Sequence, residues 1–316
     1  MTEPAQTEAQ FAAEQQQRTR QGVLFAIAAY TIWGLAPIYF KAVSHVPPFE
    51  VLAHRIIWAF LLVLVLIIAT GRMQRVVAAF KAPALLARLA VAATLIGFNW
   101  LLFIWSVAND FILEASLGYY INPLLNVVLG MVFFAERLRR LQWVAVALAL
   151  TGVVIQLVTF GSVPWVALAL ASSFAVYGAM RKTLPFDSLT GLWLEILLLL
   201  PFILIWFGFF AQSDSSNMLD NSWQLNSLLI AAGVITTVPL LFFTGAAKRI
   251  RYSTLGFFQY IGPTLMLLLA VGVYGEAFTM DKVVTFSFIW VALAIYSIDA
   301  ARTHRQSVRA ARRLNT

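Results

Sequence analysis

The chain contains no cysteine and only three histidines in 316 residues. The first absence excludes disulfides and thiolate chemistry. The second leaves little for a histidine-based metal or acid–base centre, and no HExxH, GxSxG, Walker or paired-aspartate motif is present. Charge is equally scarce. Only 11% of residues are charged while 61% are hydrophobic, and the mean hydropathy is +0.83, too little polar surface to enclose a water-soluble globule. Short alternating segments of the kind barrel strands need are missing too.

Long apolar runs take their place. Ten are expected to be helices: Gly22–Phe40, Val51–Thr70, Leu89–Val107, Ser116–Ala135, Leu141–Val158, Trp165–Met180, Thr190–Phe210, Leu225–Ala247, Ser253–Tyr274 and Val283–Ala300. Each is about 20 residues long, the length that crosses roughly 30 Å of hydrocarbon. Short connections make neighbours antiparallel. Residues 1–21 have no apolar core, so they read as a disordered tail, not a cleavable signal, and the first helix serves as the insertion signal. Residues 301–316 form a basic tail.

Orientation follows from the 22 lysines and arginines. With a cytoplasmic N-terminus, all of them except Lys41, Arg55 and Lys282 fall in inside segments, as the positive-inside rule requires. Both termini are then cytoplasmic. The sequence pI of about 10.0 reflects this topology, and nucleic acid is not an expected partner.

One phrase is written twice. GYYINPLLNVVLGMVFFAERLRR (Gly118–Arg140) and GFFQYIGPTLMLLLAVGVYGEAF (Gly256–Phe278) each place a glutamate thirteen residues after a proline. An offset of 140 relates Pro123 to Pro263, Glu136 to Glu276 and Arg55 to Glu195. The chain therefore divides into repeats at 22–160 and 161–300. Five helices is an odd number, so the second repeat is inverted, the arrangement of an alternating-access carrier.

The runs NWLLFIWSVANDFILEASLGYYINPLLNVVLG (Asn99–Gly130), AERLRRLQW (Ala135–Trp143) and STLGFFQYIGPTL (Ser253–Leu265) resemble the RarD-type branch of the EamA-type drug/metabolite transporter superfamily. The resemblance spans all but the tails. It implies an all-α membrane protein of ten transmembrane helices in two EamA repeats, in a bacterial inner membrane, exporting small metabolites or drugs.

A carrier needs a polar lane at mid-membrane, which a helix writes as residues three or four apart. The fourth segment carries one: Ser116, Tyr119, Asn122, Pro123, Asn126 and Gly130. Its amides either line a cavity or bond between helices. The ninth repeats it as Gly256, Gln259, Gly262, Pro263, Met266 and Ala270. Tyr30, Trp33, Asn99, Phe103, Tyr177 and Thr237 are the further lane candidates. Together they describe an aromatic cavity with neutral hydrogen-bonding groups, suited to amphipathic molecules and a poor host for a strongly charged one. Pro123 and Pro263 are candidate hinges, each removing one helical N–H bond.

Three residues are candidates for gating or coupling. Arg55, beside His54 and one helical turn or so from Glu50, reads as a snorkelling side chain, a gate ion pair or a substrate anchor. Glu195 reads as a proton-titrating group or as the partner of Arg181 or Lys182. Glu136 and Glu276 read as caps on the turns into the fifth and tenth helices, since an acid is disfavoured at the C-terminus of the helix it follows. No cofactor or metal is expected. The expected partners are a small-molecule substrate and the lipid bilayer, with a monomer sufficient and the oligomeric state open. A passive channel stands as the alternative, with an intramembrane enzyme or scaffold behind it.

Overall fold

The computed structural model describes residues 3–109, 111–161, 163–211, 213–275 and 280–314. Among the described residues there is no strand. The helices are α1 (Glu3–Ala42), α2 (Pro48–Ala69), α3 (Met73–Phe80), α4 (Pro83–Ala108), α5 (Ile112–Phe134), α6 (Arg140–Phe160), α7 (Trp165–Thr183), α8 (Ser188–Phe210), α9 (Trp223–Ala247), α10 (Tyr252–Gln259), α11 (Ile261–Gly272) and α12 (Met280–Leu314). Among the described residues nine helices are long and apolar enough to cross a membrane, α10 and α11 together counting as one. The protein is a multi-pass membrane protein. α7 falls short of that measure because Ser172, Ser173, Arg181 and Lys182 sit within its 19 residues.

The structure departs from the sequence reading at four places. The tail expected to be disordered is helical from Glu3, because alanine, glutamine, glutamate and arginine are good helix formers even without an apolar face. The basic tail likewise continues α12 to Leu314. α3 is a short amphipathic helix in a connection read as a loop, with Val76 and Ala79 facing inward. The ninth run is broken at Tyr260, since the ring of Pro263 denies the carbonyl of Gln259 its helical partner. Pro123 leaves α5 continuous.

The helices pack as α6 on α12, α5 on α7 and α10, α9 on α1 and α2, α8 on α2 and α4, α7 on α4, and α11 on α1. Small residues allow the closest approaches. A Cβ on Gly256 would lie 2.7 Å from the carbonyl oxygen of Pro123, and one on Gly233 would lie 2.6 Å from the carbonyl carbon of Trp58. Large apolar side chains such as Phe133, Phe202 and Phe209 point outward, as a lipid-facing surface requires.

Candidate functional site

A cavity of about 760 Å³ opens at the end of the bundle away from the chain termini, with Lys41, Tyr274 and Lys282 among its lining residues. Its walls come from every spanning helix except α8. Trp33, Phe40, Trp100, Phe103, Tyr119 and Phe174 give aromatic faces; Asn99, Asn122, Gln156, Gln259 and Thr236 give hydrogen-bonding groups; Arg55 gives a cation.

Of the lane candidates, Tyr30, Trp33, Asn99, Phe103, Tyr119, Asn122, Gln259 and Met266 line this cavity, and so do Arg55 and Pro263. The amides face both ways. Asn99 donates to the carbonyl of Leu170 (2.8 Å) and to Ser173 Oγ (2.9 Å), and Asn122 donates to the carbonyl of Ala171 (2.6 Å). The lane and the interhelical bond are therefore made by the same residues, which lock α4 and α5 to α7.

Asn126, Tyr177, Thr237, His54, Glu195 and Pro123 do not line the cavity. Asn126 is fully buried and donates to Gln259 Oε1 (2.9 Å) and Asn122 Oδ1 (3.3 Å), tying α5 to α10. His54 accepts from the indole of Trp58 (3.3 Å) and sits edge-on to Phe207. Glu50 accepts from the hydroxyl of Ser213. Trp100, Phe40, Lys41 and Lys282 were not expected at the site; single aromatics or lysines near helix ends carry no signal that separates them from an interfacial belt.

The other end of the bundle is sealed. Phe243 is the hub, with Tyr30, Trp33, Phe174 and Tyr177 around it at ring-centroid distances of 6.4, 5.8, 5.0 and 6.3 Å. Beyond them Tyr252 donates to the carbonyl of Ala175 (2.6 Å). Arg181 Nε lies 3.3 Å from Glu195 Oε1, and Tyr177 donates to Glu195 Oε2 (3.2 Å). Lys182 donates to the carbonyls of Ala247 and Ile250, each at 2.6 Å.

Glu136 is a cap, though not on the helix expected. Its carboxylate accepts from the backbone N–H groups of Tyr252 (2.6 Å) and Ser253 (2.9 Å) and from the Ser253 hydroxyl (2.5 Å). It therefore closes the first turn of α10, where both the free N–H groups and the helix dipole favour an anion, and not the start of α6, where Gln142 accepts from the Arg139 N–H. Glu276, expected to be its counterpart, lies outside the described residues.

A charged layer covers the sealed end. Asp187 caps α8 through Thr190 and pairs with Arg72 (2.5 Å) and Arg75 (3.3 Å). Burial raises the Asp187 carboxyl, but the Thr190 hydrogen bonds and the Arg72 guanidinium outweigh it and hold it below the usual range. Lys248 donates to the carbonyls of Leu184 (2.7 Å) and Phe186. Its ammonium is pushed down to about 8 by burial, with Arg181 adding repulsion.

Known proteins resemble the chain along nearly its whole length. The EamA-like transporter family matches residues 20–158. The chain is 57% identical over 300 residues to an "uncharacterized transporter" of Vibrio cholerae, covering 95% of this chain and 99% of that one. It is 56% identical over 290 residues to protein RarD of Escherichia coli (92% and 98%). It is 33% identical over 296 residues to the chloramphenicol-sensitive protein RarD of Pseudomonas aeruginosa (92% and 97%). A crystal structure at 18% identity superposes with a TM-score of 0.68, covering 89% of this chain and 98% of the other, which shows a shared fold. An aromatic and amide-lined cavity in an all-helical bundle, with relatives of this similarity along nearly its whole length, places the chain in the RarD branch of the EamA transporter family.

Proposed function

We propose that the protein is a carrier that exports small amphipathic molecules across the bacterial inner membrane by alternating access. The observation that carries this reading is the cavity of about 760 Å³, reaching mid-bundle from one end while the aromatic cluster around Phe243 closes the other. α7 is the tenth span in this reading. Ser173 and Arg181 are buried, the exposed Ser172 hydroxyl donates to the carbonyl of Leu168 in its own helix (2.6 Å), and Lys182 donates to the carbonyls of Ala247 and Ile250, so none is left unpaired toward lipid. Both termini are cytoplasmic, and the cavity faces outward.

The packing supports two inverted repeats, 22–160 and 161–300. Advancing each helix by five spans turns the α1/α9 pair into α7/α4, α2/α9 into α8/α4, and α5/α7 into the pair formed by α10 and α11 with α1. Each of these pairs is in contact. Two halves that can exchange arrangements give two gates. Glu136 and the Arg181–Glu195 pair then hold the inner gate, Arg55 faces the outer one, and the helix break before Pro263 lets α10 and α11 move separately.

Counterflow in proteoliposomes tests the carrier. Protein loaded inside with an unlabelled aromatic amphiphile should accumulate the labelled compound transiently and saturably. Flux that rises linearly with concentration, without counterflow, would make the protein a channel.

A further inference from the structure

Arg55 is nine-tenths buried in the wall of the cavity. Its Nε donates to Thr236 Oγ1 (2.9 Å), and its guanidinium carbon lies 5.3 Å from the ring centroid of Trp100 and 5.5 Å from that of Phe40. No described residue accepts from its two terminal nitrogens, and no carboxylate among the described residues forms an ion pair with it. By contrast the other buried arginine, Arg181, has Glu195. No Arg55 nitrogen is among the buried atoms left without a partner, so its terminal nitrogens face the cavity, where an occupant carrying a counter-charge can replace water at them.

The remaining charges point the same way. Among the described residues lining the cavity, Arg55, Lys41 and Lys282 are cationic and none is acidic. Arg55 lies seven residues along α2 from Pro48, about 10 Å deeper than that end of the helix. An anion entering past the lysines would meet a rising attraction toward it.

From this geometry we infer that the occupant is an organic monoanion: a carboxylate held by the terminal nitrogens of Arg55, carried on an aromatic or apolar body that lies among Trp33, Phe103 and Phe174. One guanidinium presents two parallel donors to a carboxylate and neutralises one charge, which disfavours phosphate dianions. A zwitterion fits less well, because no acidic residue among the described lining residues awaits its ammonium. The role as transport substrate rests on the carrier reading, whereas binding does not. The sequence expectation of a cavity suited to amphipathic molecules, and a poor host for a strongly charged one, is thereby narrowed to an amphiphile with a single negative charge.

Thermal-shift titration of the detergent-purified protein at pH 7 tests it, with indole-3-acetate, its neutral isostere indole-3-acetamide, and tryptophan as probes. Indole-3-acetate should stabilise at concentrations at least tenfold below either of the others. Arg55→Gln should erase that preference while Arg55→Lys keeps part of it. Equal shifts from acid and amide in the unmodified protein, a stronger shift from tryptophan, or no shift from indole-3-acetate would overturn the inference without reference to any variant. Counterflow of the amide without preference for the acid would leave the carrier standing and remove the anion. Preferential binding of the acid without counterflow would do the reverse.

Discussion

Arg181 has no exposed surface, and its guanidinium is admitted by Gly191, where a Cβ would lie 2.0 Å from Nη1. Glu195 pairs with Arg181 of α7, one of the two partners expected for it beside the titrating role. Removing one member of a buried ion pair strands the other, at a cost of about 3–5 kcal/mol, whereas replacing both with apolar groups is far milder. Glu195→Gln should therefore lower thermal stability in detergent strongly, and Arg181→Met with Glu195→Leu should recover most of the loss. A stable Glu195→Gln protein that exchanges substrate but fails to respond to a pH gradient would restore the proton-coupling role.

At the scale of elements, α8 begins on a cap that several charges share. Asp187 is held below its ordinary value, so its contribution to stability is fully present above the unfolded value of about 3.8 and disappears as pH falls through the folded value. The melting temperature of the unmodified protein should exceed that of Asp187→Ala at pH 6, and the difference should shrink below about pH 4. High salt should narrow it as well, because Arg72 and Arg75 are partly exposed and screened. A difference independent of pH would assign the cap to the backbone alone. Nine of the expected spans are matched by long apolar helices among the described residues, since an apolar run of about 20 residues has one stable form in a bilayer. Less legible were α3, too short for its pattern to stand out, and the helical tails, which have propensity without periodicity. At the site, periodicity found Asn122, Asn99 and Gln259, because a polar stripe shows in one helix. It could not tell that Asn126, one turn along, turns toward Gln259 instead of the cavity, nor that Glu136 reaches a helix 116 residues away. Those assignments depend on which helices meet, and hydropathy does not encode that.

For the whole molecule, a cavity open at one end and an aromatic seal at the other correspond to one of two states of a carrier. If the occupant is a monoanion, an inside-negative potential favours its outward passage by about 2.3 kcal/mol per 100 mV, and export then needs no coupled proton. The central claim is that the two ends open in turn. The chain lacks cysteine, so labels can be placed without background: one at Met266, lining the cavity, and one at Ala175, buried beneath the seal. A bulky membrane-impermeant maleimide applied outside should modify Met266→Cys. A small impermeant maleimide applied inside should then modify Ala175→Cys in the single variant but not in the double variant already blocked at position 266, whose outer end is held open. Labelling of position 175 at an undiminished rate after that block would contradict alternating access.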